Sequence, residues 1–288
     1  MDEKMKQDIN EQEQPSPVCP IQLLFKEKPV FPDKEEALRV LRRHFGNVEC
    51  VDYKEDTALF AAMDYRCDLK DRKNVPVLLT FMAGKGFEDI DSLTLSQMFW
   101  SCHDCEKVIS ECNFTITAID MIGLPDYKKR AKLIIDYAMA LAELFPEADA
   151  VYFQRSGKLF HREELLRDDI PEEDRYLYYA VNIRYFNVEG TDDHVVDSIG
   201  MGPLYLPDVQ YHFRGIDANA VINHAYSLLS YVFGSGETIN DEDTIDGIRD
   251  GEMSSEVQWK CGFADSLIVP PRPVINVEAG EFYAGSEL

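Results

Sequence analysis

Residues 114–153, FTITAIDMIGLPDYKKRAKLIIDYAMALAELFPEADAVYF, change their hydrophobic period twice. FTITAIDMIG (114–123) is rich in β-branched residues and predicts a strand. From 126 to 145 the apolar positions Leu133, Ile134, Tyr137, Ala138, Leu141, Ala142 and Phe145 share one broad face at helical spacing. ADAVYF (148–153) returns to strand composition. A helix of this kind must bury its apolar face on a sheet. The stretch therefore predicts an α+β fold, with mixed or antiparallel sheets and packed helices.

Working towards the N-terminus, IQLLF (21–25) predicts a further strand. Asp33 is a good N-cap for KEEALRVLRRHF (34–45), and Gly46 ends that helix. VECVDY (48–53), TALFAAMDY (57–65) and VPVLLTFMA (75–83) predict a small sheet. GKGFEDIDS then leads into a second helix, expected over about 94–112. Residues 1–18 are polar, Gln/Glu-rich and interrupted by two prolines, and read as a disordered tail.

Towards the C-terminus, Ser156-Gly157 reads as a turn and HREELL as a short helix. The charged, Pro-containing DDIPEEDR (168–175) is the best candidate linker. It divides the chain into an expected N-terminal α+β domain (19–170) and a C-terminal one (171–288). In the latter, YLYYAVNIRYFNV (176–188), HVVDSIGM and DVQYHF predict strands. A helix is expected over about 217–233, between Asp217 and Gly234, and the Pro-rich tail from 270 is expected to be extended or loosely docked. VQYHF followed by this helix echoes 114–153 weakly, so the two halves share a strand–helix–strand order.

Composition narrows the function classes. Asp and Glu number 53 against 29 Lys and Arg, a net charge of −24. This field repels phosphate backbones and anionic lipid, so nucleic-acid and membrane partners are disfavoured, and a basic protein partner, or simple solubility, fits better. The N-terminus has no apolar signal-peptide core, and no apolar run reaches the roughly 18 residues of a membrane span. Seven irregularly spaced cysteines suit a reducing compartment. Together these features predict a cytoplasmic protein.

Two constellations stand out. Cys102-His103-Asp104-Cys105, with Cys112 nearby, invites a zinc or dithiol reading, but no second closely spaced Cys/His pair accompanies it. Within a helix, 102, 105, 109 and 112 share one face, so these cysteines are expected to face a core and bind no metal. The second constellation is NDEDTIDGIRDGE (240–252), with Asp241, Glu242, Asp243, Asp246, Asp250 and Glu252. Aligned as an EF-hand from Asp241, it has Ile245 and Asp246 where an oxygen ligand and a glycine are required. It reads as a solvated acidic hairpin and, functionally, as the candidate binding surface. Nucleophile elbows, P-loops and zinc-protease motifs are absent, and Gly84-Lys85-Gly86 lacks P-loop spacing. His212 and His224 read as packing residues. No catalytic residue and no cofactor is expected.

Three stretches resemble a bacterial family of unknown function, DUF4261. They are Met98-Phe99-Trp100 with the following strand; AKLIIDYAMALAELFPEADAVYFQRSGKLFHREEL; and, most closely, DSIGMGPLYLPDVQYHF with helix 217–233, Gly236 and NDEDTIDG. The resemblance spans 75–288, with a core of about 194–265. It departs at Tyr205-Leu206, where a Phe/Leu-Gly pair is commoner in the family. It implies no activity, since the family has no established catalytic residues to carry over. Some members are similar to toxin-immunity proteins in size and acidity. The expected function is thus a non-enzymatic protein-binding module, of toxin-immunity type, for a basic partner. The alternative is an enzyme with a dispersed carboxylate/His site, such as a metal-assisted hydrolase.

Overall fold

Ile21–Phe25 (β1) shows no alternation of polar and apolar residues because both its faces are covered: all five residues are buried. The computed structural model describes residues 18–86, 90–167, 169–236 and 239–288. All but the last residue of the expected tail 1–18 lies outside them. The described residues form two compact units, one within 18–182 and one within 183–288. Residues 169–175 of the charged segment lie inside the first.

In the first unit, β1 is joined by β2 (Val48–Tyr53), β3 (Thr57–Leu69), β4 (Arg72–Lys85), β5 (Phe114–Asp120), β6 (Ala150–Phe153) and β7 (Lys158–His161). The sheet order is β2-β3-β4-β5-β1-β6-β7, antiparallel throughout. Helix α1 (Lys34–Phe45) is capped by Asp33 and stopped by Gly46 at φ 73°. It lies along α4 (Tyr127–Leu144), which Asp126 caps and which packs on β1. Phe25, Phe45, Phe60, Phe81, Tyr137 and Phe145 fill the space between them, all with 2% exposure or less. On β1, Leu24 joins a separate apolar cluster with Met98, Cys102, Cys105, Val108, Cys112 and Leu159. That cluster brings in α2 (Ser92–Met98) and α3 (Cys105–Glu111).

Two expectations change here. The helix expected over 94–112 is two short helices broken at 99–104, because the segment bends to place Cys102 on the cluster. The expected strand 176–188 begins instead as helix α6 (Arg175–Ala180), after the short α5 (Arg162–Leu165). Tyr176, Leu177, Tyr179 and Ala180 are buried on the helical period, and α6 packs on α4. Val181 returns to extended backbone, and Asn182–Asn187 form β8.

The second unit adds β9 (His194–Ile199), β10 (Asp208–Phe213), α7 (Ala218–Ser235), β11 (Thr244–Arg249), β12 (Glu252–Asp265) and β13 (Pro273–Glu278). The sheet order is β11-β12-β13-β10-β9-β8, with β10 and β13 parallel. Asp217 caps α7, which continues through Gly234 and ends at Gly236 in the left-handed conformation. The tail from 270, expected to be extended or loosely docked, is extended but firmly packed, as a central strand: Val274, Ile275, Asn276 and Val277 are buried between β12 and β10. Val209, Tyr211 and Phe213 are buried with the core, and α7 packs on β9 and β10. Gln210 and His212 accept cover from the irregular C-terminal segments, through Leu267 N–H and the Gly285 carbonyl. The two strand–helix–strand units differ: β1 separates β5 from β6, whereas β13 and β12 separate β10 from β11. Among the described residues, no helix is long and apolar enough to cross a membrane.

Candidate functional site

The acidic segment 240–252 is a hairpin whose turn is Asp250-Gly251. Both residues have positive φ, 53° and 86°, as a two-residue turn between right-twisted strands requires. The structure disperses the six candidate carboxylates. Asp241 Oδ1 accepts the Phe263 N–H at 2.6 Å, and Glu242 pairs with Lys260 at 2.7 Å, which lowers the glutamate's pKa. Asp250 occupies the turn and Glu252 opens β12. Only Asp243 and Asp246 face a common space.

That space is a cavity of about 680 Å³ between α7 and the segment 239–246. His224, Ser227, Leu228 and Tyr231 form its helical wall, one stripe at i, i+3, i+4 and i+7. Ile239, Ile245 and Met253 add apolar surface, and Asp243 and Asp246 are the charged residues of its lining. Asp243 Oδ2 accepts from the backbone and side-chain N–H groups of Asn240, at 2.7 and 3.1 Å. Asp246 Oδ1 accepts from Gln258 Nε2 at 2.7 Å. Each carboxylate is thus oriented through one oxygen, and its second oxygen is bonded to no other described residue.

His224 closes the cavity. Its Nε2 lies 2.6 Å from the Asp246 carbonyl, which can only accept, so Nε2 carries the proton and Nδ1 accepts from the Tyr211 hydroxyl at 2.9 Å. Burial lowers its pKa and keeps it neutral. The ring lies 4.9 Å from the Trp259 ring of β12, tilted by 47°, and its bond to the Asp246 carbonyl ties α7 to β11, so it acts as a packing group. Tyr231 and Met253 were not legible as site residues, because only the hairpin's return brings Met253 opposite the helix.

Beneath the same sheet lies a buried ion network. Asp197 is fully buried and accepts from Arg184 and Arg272, and Arg272 also faces Asp208 at 3.3 Å. Burial raises the Asp208 carboxyl.

Residues 197–278 match the family model of DUF4261, a domain of unknown function. The matched region runs from the buried Asp197 to Glu278, the last residue of β13. It therefore holds the cavity, the hairpin and three members of the ion network. The resemblance read from 194–265 falls on the DUF4261 region; the stretches around 98–122 and 131–165 lie outside it. Tyr205, at the departure from the family pattern, has φ 60° in the left-handed region. Neither the curated proteins nor the solved structures contain a match to the chain.

The cysteine constellation lies in the other unit. Cys102, Cys105 and Cys112 are buried in the apolar cluster on β1 and β6, as expected, but Cys102 sits in the 99–104 turn, not on a helix. There its sulfur meets Asp104 and a residue the sequence did not mark, His161 of β7. No local signal reveals His161, which lies 59 positions from Cys102.

Proposed function

We propose that this chain is a protein-binding module that takes a basic segment of a partner protein into the cavity between α7 and residues 239–246. One observation carries the reading: Asp243 and Asp246 offer carboxylate oxygens beside the apolar and aromatic Leu228, Tyr231, Ile239, Ile245 and Met253, with the neutral polar Ser227, Asn240 and Thr244 between them, in a lining that includes no lysine or arginine. Such a surface suits an arginine or lysine side chain, with its aliphatic stem on Leu228, Ile245 and Met253 and its charge on the two carboxylates. The net charge of −24 would speed the encounter with such a partner. A toxin-immunity role, in which the chain occludes a basic toxin in a bacterial cytoplasm, is one use of this chemistry.

The test is a fluorescence-anisotropy titration of a short labelled peptide alternating arginine and leucine. The same peptide with glutamate for arginine is the control. The arginine peptide should bind, and should bind more weakly as salt rises. Asp243→Asn and Asp246→Asn together should weaken binding about tenfold or more, roughly 1.4 kcal/mol. Asp250→Asn, which keeps the turn, should not. Equal binding by wild type and the double variant, or no binding at low salt, would overturn the proposal.

A further inference from the structure

We propose that Cys102, Asp104 and His161 form a transition-metal site, suited to zinc rather than calcium or magnesium, with a fourth position open to solvent. It is independent of the cavity and lies in the other unit. Cys102 Sγ stands 3.4 Å from Asp104 Oδ1 and 3.9 Å from His161 Nε2, and the latter two atoms are 2.8 Å apart. A tetrahedral zinc, about 2.3 Å from sulfur and about 2.0–2.1 Å from nitrogen or oxygen, holds its ligand atoms roughly 3.3–3.6 Å apart. The observed triangle brackets that spacing. Seating an ion needs the Asp104–His161 edge to open by about half an ångström, and both side chains reach solvent, so both can move.

The triangle is held by contacts that do not involve the ligand atoms. Cys102 N–H bonds to the Met98 carbonyl at 3.0 Å, and Cys105 N–H to the Cys102 carbonyl at 3.1 Å. Leu159 N–H donates to Ser101 Oγ at 3.2 Å, tying the 99–104 turn to β7, the strand that carries His161. A thiolate with an imidazole selects zinc, cobalt or nickel over the hard cations, which prefer oxygen-only sets.

Two other chemistries fit less well. A Cys–His–Asp nucleophile places its carboxylate on one ring nitrogen and its thiol on the other. Here both face Nε2. A Cys-x-x-Cys site would use Cys105, whose side chain is buried in the apolar cluster with Leu159 and is not one of the converging groups.

Binding would exchange protons for the ion. The Cys102 S–H bond breaks, a sulfur–metal bond forms and the proton leaves to solvent. The imidazole moves its proton from Nε2 to Nδ1 and Asp104 turns an oxygen to the metal, so one proton is released per ion. The exposed side of the triangle leaves room for water as fourth ligand, the arrangement of hydrolytic zinc centres.

The full chain, chelator-stripped under reducing conditions, would be titrated with zinc against a chromophoric competitor, and with cobalt for its thiolate charge-transfer band. One ion per chain is expected. His161→Ala should lower zinc affinity about a hundredfold or more, since loss of a supporting residue alone costs up to that. Asp104→Asn should weaken it in the same direction. Cys102→Ser should remove the cobalt band and Cys105→Ala should keep it. No stoichiometric uptake, uptake untouched by His161→Ala, or uptake lost in Cys105→Ala with an unchanged circular-dichroism spectrum would each overturn the proposal. His161 is partly exposed, so its variant tests the site without emptying the core.

Discussion

Arg184 holds Asp197 through two parallel hydrogen bonds, Nε to Oδ1 at 2.8 Å and Nη2 to Oδ2 at 2.6 Å. Asp197 has 0% exposure, and Arg272 Nη2 adds a third bond at 2.5 Å. One fully buried carboxylate thus binds two guanidiniums, of which Arg272 also faces Asp208. Removing it leaves Arg184 without its carboxylate partner in a low-dielectric interior and Arg272 with Asp208 alone. Asp197→Ala should lower the stability of the second unit by about 3–5 kcal/mol. Chemical denaturation followed by Trp259 fluorescence checks this. A loss below about 1 kcal/mol would place the network in a solvated setting.

Gly247 sits at the irregularity between β11 and β12, under the buried Trp259. A Cβ there would lie 2.8 Å from both Trp259 Nε1 and Val257 Cγ1. Val257 is half-buried and can yield, but the buried Trp259 ring can withdraw only by moving out of the core. Gly247→Ala should therefore cost about 1–3 kcal/mol. An unchanged denaturation midpoint would refute this.

β13 closes the middle of its sheet, so the C-terminal residues are required for folding. A chain ending at residue 270 would leave the inner edges of β10 and β12 unpaired and expose the surface that Val274, Ile275 and Val277 cover. The dispersed amide resonances of the second unit should collapse in a ¹H–¹⁵N spectrum. Retention of native dispersion would contradict the central placement.

Asp120 faces Arg130 at 2.6 Å in the first unit, yet burial outweighs that attraction and pushes its carboxyl up to about 6 from an ordinary 3.8. The folded state therefore binds a proton more tightly than the unfolded chain. This contribution to stability is complete below about pH 3.8 and is lost as pH rises through about 6. A ¹³C titration of the Asp120 carboxyl should show a midpoint near 6. A midpoint near 4, the reference aspartate value, would show that the ion pair wins.

Local chemistry was readable where it acts locally. Asp33 and Asp217 accept the N–H groups their helices leave unpaired, and Gly46 takes the positive φ that ends its helix, whereas the helix expected to stop at Gly234 runs on to Gly236. The apolar faces of α4 and α7 follow from spacing alone. So does the acidic hairpin, because Asp250-Gly251 adopts its turn whatever lies around it.

What the chain alone did not determine rests on partners distant in sequence. The spacing of Cys102, Cys105, Ile109 and Cys112 describes one helix equally well as a helix broken at 99–104. The choice fell to the apolar cluster on β1 and β7. PVINVE (273–278) carries no signal that it is central, since its place depends on hydrogen bonds to β10 and β12. The meeting of His161 with Cys102, and of Met253 with Tyr231, has the same origin. Side chains brought together by sheet order and helix docking leave no local pattern, because the free energy that joins them comes from burying surfaces far apart in the chain.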